Sequence, residues 1–172
     1  KYLDDTYQLF KELFPTVQTI VQDTEMNEEE REQFLAKFVA NPTETFVGFC
    51  VLGGIFSEGI DLKGTRLIGS AIVGVGLPQM NHEQELIREY FDEHTGSGFE
   101  YAYQLPGMNK VLQAAGRVIR DLTDVGVVLL LDQRFNTPRY RRLFPPHWQP
   151  TVCYRPQDLI KELRTFWQKT SN

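Results

Sequence analysis

The stretch VGVVLLLD, residues 125–132, carries no polar side chain from Val125 to Leu131 and ends on a carboxylate. A strand with one wet face alternates apolar and polar residues. An unbroken apolar run instead suits a strand buried on both faces, as when crossover helices join parallel strands. Working outward, three further runs have the same character: TVQTIVQ (16–22), TFVGFCVLGG (45–54) and RLIGSAIVGVGLP (66–78). Amphipathic segments separate them. They are the opening KYLDDTYQLFKELF, a helix over 27–40 capped by Asn27 with Glu30 three residues on, a polar helical segment over 81–94, and a helix containing QAAGRVIR (113–120). The alternation predicts an α/β fold with a mostly parallel sheet and helices on both faces. Beyond residue 132 the pattern predicts a short helix near 137–143, a proline-rich turn FPPHWQP, a small strand around TVCY (151–154) and a last helix after Pro156.

A chain of 172 residues with 41% hydrophobic content supports one good core, so residues 1–172 are read as one domain, with 147–172 as a C-terminal extension packing on it. The chain starts at Lys1 and enters helix-like sequence at once, which predicts a piece of a longer protein. No apolar run reaches the roughly 20 residues that span a bilayer, so no membrane partner is expected. Cys50 and Cys153 lie far apart in apolar runs, without disulfide or metal-ligand spacing, and His82, His94 and His147 show no zinc spacing either; no metal site is expected. A reducing, intracellular location is expected from these features. The net charge of −5 is unevenly spread. Residues 110–142 carry seven basic side chains against three acids, an arrangement suited to meeting a phosphate at one place rather than coating nucleic acid.

Ligands of open parallel sheets sit beyond the carboxyl ends of the strands. The loop GGIFSEGIDLKG (53–64) is the richest of these ends. Gly53 and Gly54 can present amides to a phosphate, and Asp61 is placed to accept from sugar hydroxyls. A Glu58/Asp61 acid/base or metal pair is the weaker reading, because no third ligand has suitable spacing. The alternative has Gly59 and Gly64 making turns with the acids solvating them. Nothing in the chain reads G-x-x-x-x-G-K-[ST], so the main triphosphate cradle is expected elsewhere.

In QAAGRVIR, a continuing helix places Gln113, Arg117 and Arg120 within about 60° of one another. Leu112, Ala115, Val118, Ile119 and Leu122 then fall on the opposite, sheet-facing side. The competing reading is a solvated face with Asp121 and Asp124 nearby, though Asp121 lies about 80° round the helix from Gln113. Planar guanidinium forks match phosphate oxygens, and a pair can clamp a terminal phosphate held by another domain.

SEGIDLKG (57–64), then QAAGRVIR, then DVGVVLLLDQRF (124–135) resemble motifs V and VI of superfamily-two helicases of the XPD/DinG type. GVGLPQMN (74–81) between them resembles that family's G-x-P strand end. The resemblance runs from the opening helix to about residue 146. It implies a three-layer, RecA-like (P-loop NTPase-like) C-terminal motor domain, part of an ATP-dependent DNA helicase. Its first RecA-like domain would hold most of ATP and Mg, and the fragment alone would be inactive. By position it implies Arg120 as arginine finger, Arg117 as its companion, and Gln113 as the opening polar residue of motif VI. Asp61 falls beside the ribose, with Gly59 and Glu58 in the same nucleotide-facing loop, and Gly53, Gly54 and Ser57 meet single-stranded DNA. The family's iron–sulfur cysteines belong to the other half and none is implied here. A strand with motif IV before the opening helix has no counterpart, so an unpaired sheet edge is expected.

In RFNTPRYRRLFPPHW (134–148), Arg139, Arg141 and Arg142 are further candidates for single-stranded DNA, with Tyr140 or Trp148 stacking on bases. Equally, Tyr140, Leu143, Phe144 and Trp148 can pack a tail helix while the arginines face water. Two other functional classes remain open: a non-catalytic RecA-like module that binds single-stranded DNA or a protein, and a stand-alone nucleotide-binding enzyme.

Overall fold

The computed structural model describes residues 1–23, 25–54 and 62–170. Residues Lys1–Leu131 form one compact unit and Asp132–Asn172 another. In the first unit, α1 (Tyr2–Leu13) leads to β1 (Gln18–Val21), α2 (Glu28–Ala36) and β2 (Phe46–Phe49). Then come β3 (Gly69–Val73), α3 (His82–Thr95), a π-helical turn (Glu100–Gln104) running into α4 (Leu105–Ala115), and β4 (Val127–Leu131). All four apolar runs contain strands, and the described strands pair in parallel. β1 lies beside β2 in the register Gln18↔Phe46, and β3 beside β4 in the register Gly69↔Val127. The ladders form two separate two-stranded sheets, each pair joined through a helical crossover: α2 for the first, α3 and α4 for the second.

Local chemistry explains where these helices begin and stop. Asn27 accepts from Glu30 N while Glu30 accepts from Asn27 N, a reciprocal capping box that opens α2. Asn81 caps α3 by accepting from Gln84 N. Phe34 of α2 packs with Leu62, Ile20, Phe38 and Leu67 into one core cluster. Phe10 and Tyr7 of α1 set their rings edge-on to Phe49 of β2, each with centroids 5.4 Å apart. The π turn brings Ala102, Tyr103 and Gln104 inside, and the Tyr103 hydroxyl donates to Glu85 of α3 at 2.5 Å.

α4 buries Gly107, Met108, Val111 and Ala115, a stripe at helical spacing. Its approach to β3 is set by two glycines. A Cβ on Gly107 would stand 2.5 Å from Val75 O, and one on Gly76 would stand 2.8 Å from Gly107 O. Backbone therefore meets backbone where β3 ends. The same closeness explains a glycine inside a helix, where it is intrinsically unfavourable.

In the second unit a 3-10 turn (Gln133–Asn136) is followed by α5 (Pro138–Arg141) and α6 (Pro156–Thr170). Asp132 opens the turn by accepting from Arg134 N, and the Arg134 guanidinium returns to both its carboxylate oxygens at 2.9 and 2.7 Å. Phe135, Tyr140, Phe144 and Trp148 then make a continuous run of ring contacts. The strand expected at 151–154 does not form: the segment is irregular and ends in a bend before Pro156. Four apolar-leaning residues without a partner strand have no ladder to join.

Gly107→Ala is expected to lower stability by about 1–3 kcal/mol, as overpacking does, despite alanine's higher helix propensity. A urea midpoint equal to or above wild type would contradict the close approach.

Candidate functional site

Just beyond the carboxyl ends of β1, β2 and β3, Gln22, residues 51–54 and Gly76 come together. Gln22, one residue beyond β1 and only 8% exposed, accepts from Val51 N at 2.9 Å through its side-chain oxygen. Its own backbone N donates to Phe49 O at 2.8 Å. Gly54 N donates to Val51 O at 3.1 Å and Gly53 has φ +81°, so residues 51–54 make a tight turn whose third position favours glycine. Leu52 in this turn reaches the exit of β3, its Cδ2 lying 3.1 Å from where a Gly76 Cβ would be. α4 lies across both exits, with Gly107 against Gly76 and Lys110 against Gly53.

Helix α4 does not run through the arginines. It ends at Ala115, and the next bonds tighten into Arg117 N→Ala114 O and Val118 N→Ala115 O. The expected row of Gln113, Arg117 and Arg120 on one helix face is therefore wrong: Gln113 is exposed on the last turn, Arg117 sits in the turn that follows, and Arg120 lies beyond it. The expected apolar stripe fails at the same place. Ala115 and Val118 are buried, but Ile119 is 46% exposed and Leu122 is fully exposed.

Beyond the end of the helix, Asp124 fixes the chain that follows. Its Oδ2 accepts from Arg120 N at 2.9 Å and from Asp121 N at 3.0 Å, while Oδ1 accepts from Gly64 N at 3.3 Å. A carboxylate that captures main-chain N–H groups offers them an alternative to helical carbonyls. Gly116 and the β-branched pair Val118 and Ile119 give the helix little reason to resist. The backbone bonds from Arg120 and Asp121 hold the Asp124 carboxyl below its usual range, helped by Gly64 N and the Arg120 charge. Asp124 is thus more than a charged neighbour of the arginines, because it anchors their backbone. It also ties the end of the 57–64 segment to the 117–124 turn. Arg117 Nε and Arg120 Nη2 are both withdrawn from solvent.

Ser57, Glu58, Gly59 and Asp61 lie outside the described residues. Arg139, Arg141 and Arg142 belong to the second unit and are exposed there, with Arg141 donating to Asn136 Oδ1 at 2.9 and 3.2 Å. Tyr140 is 5% exposed and packed on Phe135, which withdraws it from base stacking. Sequence reasoning missed Gln22 and Lys110, and misjudged Asp124. The available signals were a polar side chain closing an apolar run, a cation one helical turn before Gln113, and a carboxylate four residues after Arg120.

Parallel strands joined by helical crossovers define an α/β domain, a class whose ligands sit beyond the carboxyl ends of the strands. A family model described as "Helicase C-terminal domain" matches residues 1–151, and the chain belongs to that family. It is similar to the ATP-dependent DNA helicase DinG of Photobacterium profundum, 37% identical over 89 residues, covering 51% of this chain and 13% of that protein. It is also similar to the regulator of telomere elongation helicase 1 homolog of Arabidopsis thaliana, 31% identical over 152 residues, covering 78% of this chain and 14% of that protein. A solved XPD helicase shares the fold with a TM-score of 0.57 at 21% identity, over 82% of this chain and 29% of that one. The chain thus spans only about a seventh of these curated relatives. No helix among the described residues is long and apolar enough to cross a membrane.

Because the folded-state pKa of Asp124 is depressed, the stability it contributes is present above the ordinary aspartate value, about 3.9, and is lost as pH falls through the depressed value. Asp124→Asn is expected to lower the urea midpoint at pH 7, with the deficit shrinking as the pH drops below about 4. Equal midpoints at neutral pH, or a deficit that grows with acid, would contradict the anchoring role.

Proposed function

We propose that this chain is the second motor domain of an ATP-dependent DNA helicase and completes an ATP site formed mainly by a first RecA-like domain. The observation that carries this reading is the Asp124 carboxylate, which joins Gly64 to the main chain of Arg120 and so couples the two motif-bearing segments. Arg120 acts as the arginine finger, with Arg117 beside it. A guanidinium carried on a main chain already fixed at its own N–H needs little reorganisation when the terminal phosphate of ATP accumulates charge, and that preorganisation lowers the barrier. Gln113 stands at the mouth of the same cleft. Asp61, with Gly59 and Glu58, takes the ribose side, and Mg stays with the phosphates on the first domain.

Gly53, Gly54 and Ser57 face single-stranded DNA on the other side of the strand ends. The closing of the two domains on ATP, and their reopening after hydrolysis, moves the DNA-contacting loops relative to one another and steps the enzyme along one strand. The relatives described as ATP-dependent DNA helicases and the match to the helicase C-terminal family support this reading. In the full-length helicase, Arg120→Ala is expected to cut DNA-stimulated ATP turnover by about 10³-fold or more while single-stranded DNA is still bound. Turnover within a few-fold of wild type would remove Arg120 from the cleft.

A second reading rests on the exposed Arg139, Arg141 and Arg142 over a packed aromatic cluster: a non-catalytic module that binds DNA or protein through the second unit. DNA binding lost in the Arg139/Arg141/Arg142 triple alanine variant, alongside turnover indifferent to Arg117 and Arg120, would favour it.

A further inference from the structure

Lys110 has no part in the motif assignments, yet it is the side chain laid over the turn that leaves β2. A Cβ built on Gly53 would stand 2.8 Å from Lys110 Cδ, 3.0 Å from Cε and 3.3 Å from Nζ. The butyl stem therefore runs along the bare Cα of Gly53, and the ammonium sits at the turn. The turn itself is held from below, since the buried Gln22 amide accepts from Val51 N. No carboxylate among the described residues pairs with Lys110. By contrast, Arg88, Arg134 and Arg155 all do find acids. A lysine whose stem is packed has already lost much of its rotamer freedom, so an anion that meets its ammonium avoids that ordering cost.

We infer that Lys110 is a phosphate-binding residue whose ligand is a phosphodiester of single-stranded nucleic acid passing over the Val51–Gly54 turn. This rests on the motor reading for the route of the strand and adds to it the charged contact. Phosphate chemistry alone would also admit ATP, but spacing separates the two. Lys110 lies five residues before the end of α4, about 7.5 Å along its axis, and the arginines come only after that end. The cation at Gly53 and the guanidiniums past Gly116 therefore serve different phosphates. Glycine at 53 is favoured by its φ of +81°, and a side chain there would also displace the lysine stem.

The test uses the full-length helicase and a fluorescent oligothymidine, with affinity measured across a salt series. Lys110→Met keeps a stem to cover Gly53 and removes only the charge. It is expected to weaken binding uniformly across oligonucleotide sequences and to reduce the slope of log affinity against log salt by about 0.7, one phosphate's worth for a single strand. Lys110→Arg is expected to restore the slope. A Lys110→Met slope equal to wild type overturns the inference, as does a loss of affinity confined to a non-hydrolysable ATP analogue. Arg120→Ala is run in parallel to separate this idea from the motor reading. If Arg120→Ala abolishes turnover while Lys110→Met leaves the slope unchanged, only the Lys110 inference falls. If Lys110→Met reduces the slope while Arg120→Ala is silent, the DNA site stands and the ATP-cleft assignment falls.

Discussion

Three main-chain N–H groups from two separate segments converge on the carboxylate of Asp124, and the placement of the basic residues follows from that convergence. Hydrogen bonds to an ionised acceptor are roughly twice as strong as neutral ones, so the cluster competes well with the helical carbonyls the same donors would otherwise use. With Arg120 N and Asp121 N committed to Asp124, the chain that leaves α4 at Gly116 does not re-enter a helix. The chain then has room to bend back and enter β4 beside β3, with Val127 N on Ile68 O as the first rung. Because Gly64 N reaches the same carboxylate, the chain leading into β3 is fixed to that bend as well.

The strands were legible because each lies in an apolar-rich run bounded by amphipathic segments, and parallel pairing followed from the helices between them, although the strands are half-buried rather than enclosed on both faces. Helix starts were legible wherever a side chain made the cap, as with Asn27 and Glu30. The end of α4 was not, because residues 112–122 keep a helical apolar period straight through Gly116. Periodicity records which side chains are apolar, but not that the backbone tightens after Ala115 and that Asp124 then takes the N–H groups of Arg120 and Asp121. Leu122, read as core and found fully exposed, marks the error most clearly. The 151–154 segment failed for a different reason: strand propensity without a neighbouring edge produces no ladder.

Several candidate residues depend on backbone approach rather than on side-chain type. Gly53, Gly76 and Gly107 let three chain segments pass within contact distance, and a Cβ at any of them would meet an atom at 2.5–2.8 Å. The Gly-Gly pair at 53–54 was readable as a place where something comes close. That one of the approaching groups is the stem of Lys110, brought from α4, follows only from the fold.

The two kinds of cation in the first unit are therefore held by different physics. Arg120 is positioned through its own main chain, whose N–H is committed to Asp124, while its guanidinium keeps a buried Nη2 and the planar fork suited to a terminal phosphate. Lys110 is positioned through its stem, pressed on a glycine, with a point charge that tolerates variation in the angle of an incoming phosphate. A group that must meet one charge distribution at one moment benefits from a fixed fork. A group that must let successive phosphates pass benefits from a compact charge that any of them can approach. This contrast in anchoring is what the proposed division between nucleotide and strand calls for, and both anchors trace to α4: its close at Gly116 leaves the arginines to the turn, while its packing against Gly76 carries Lys110 over the exit of β2.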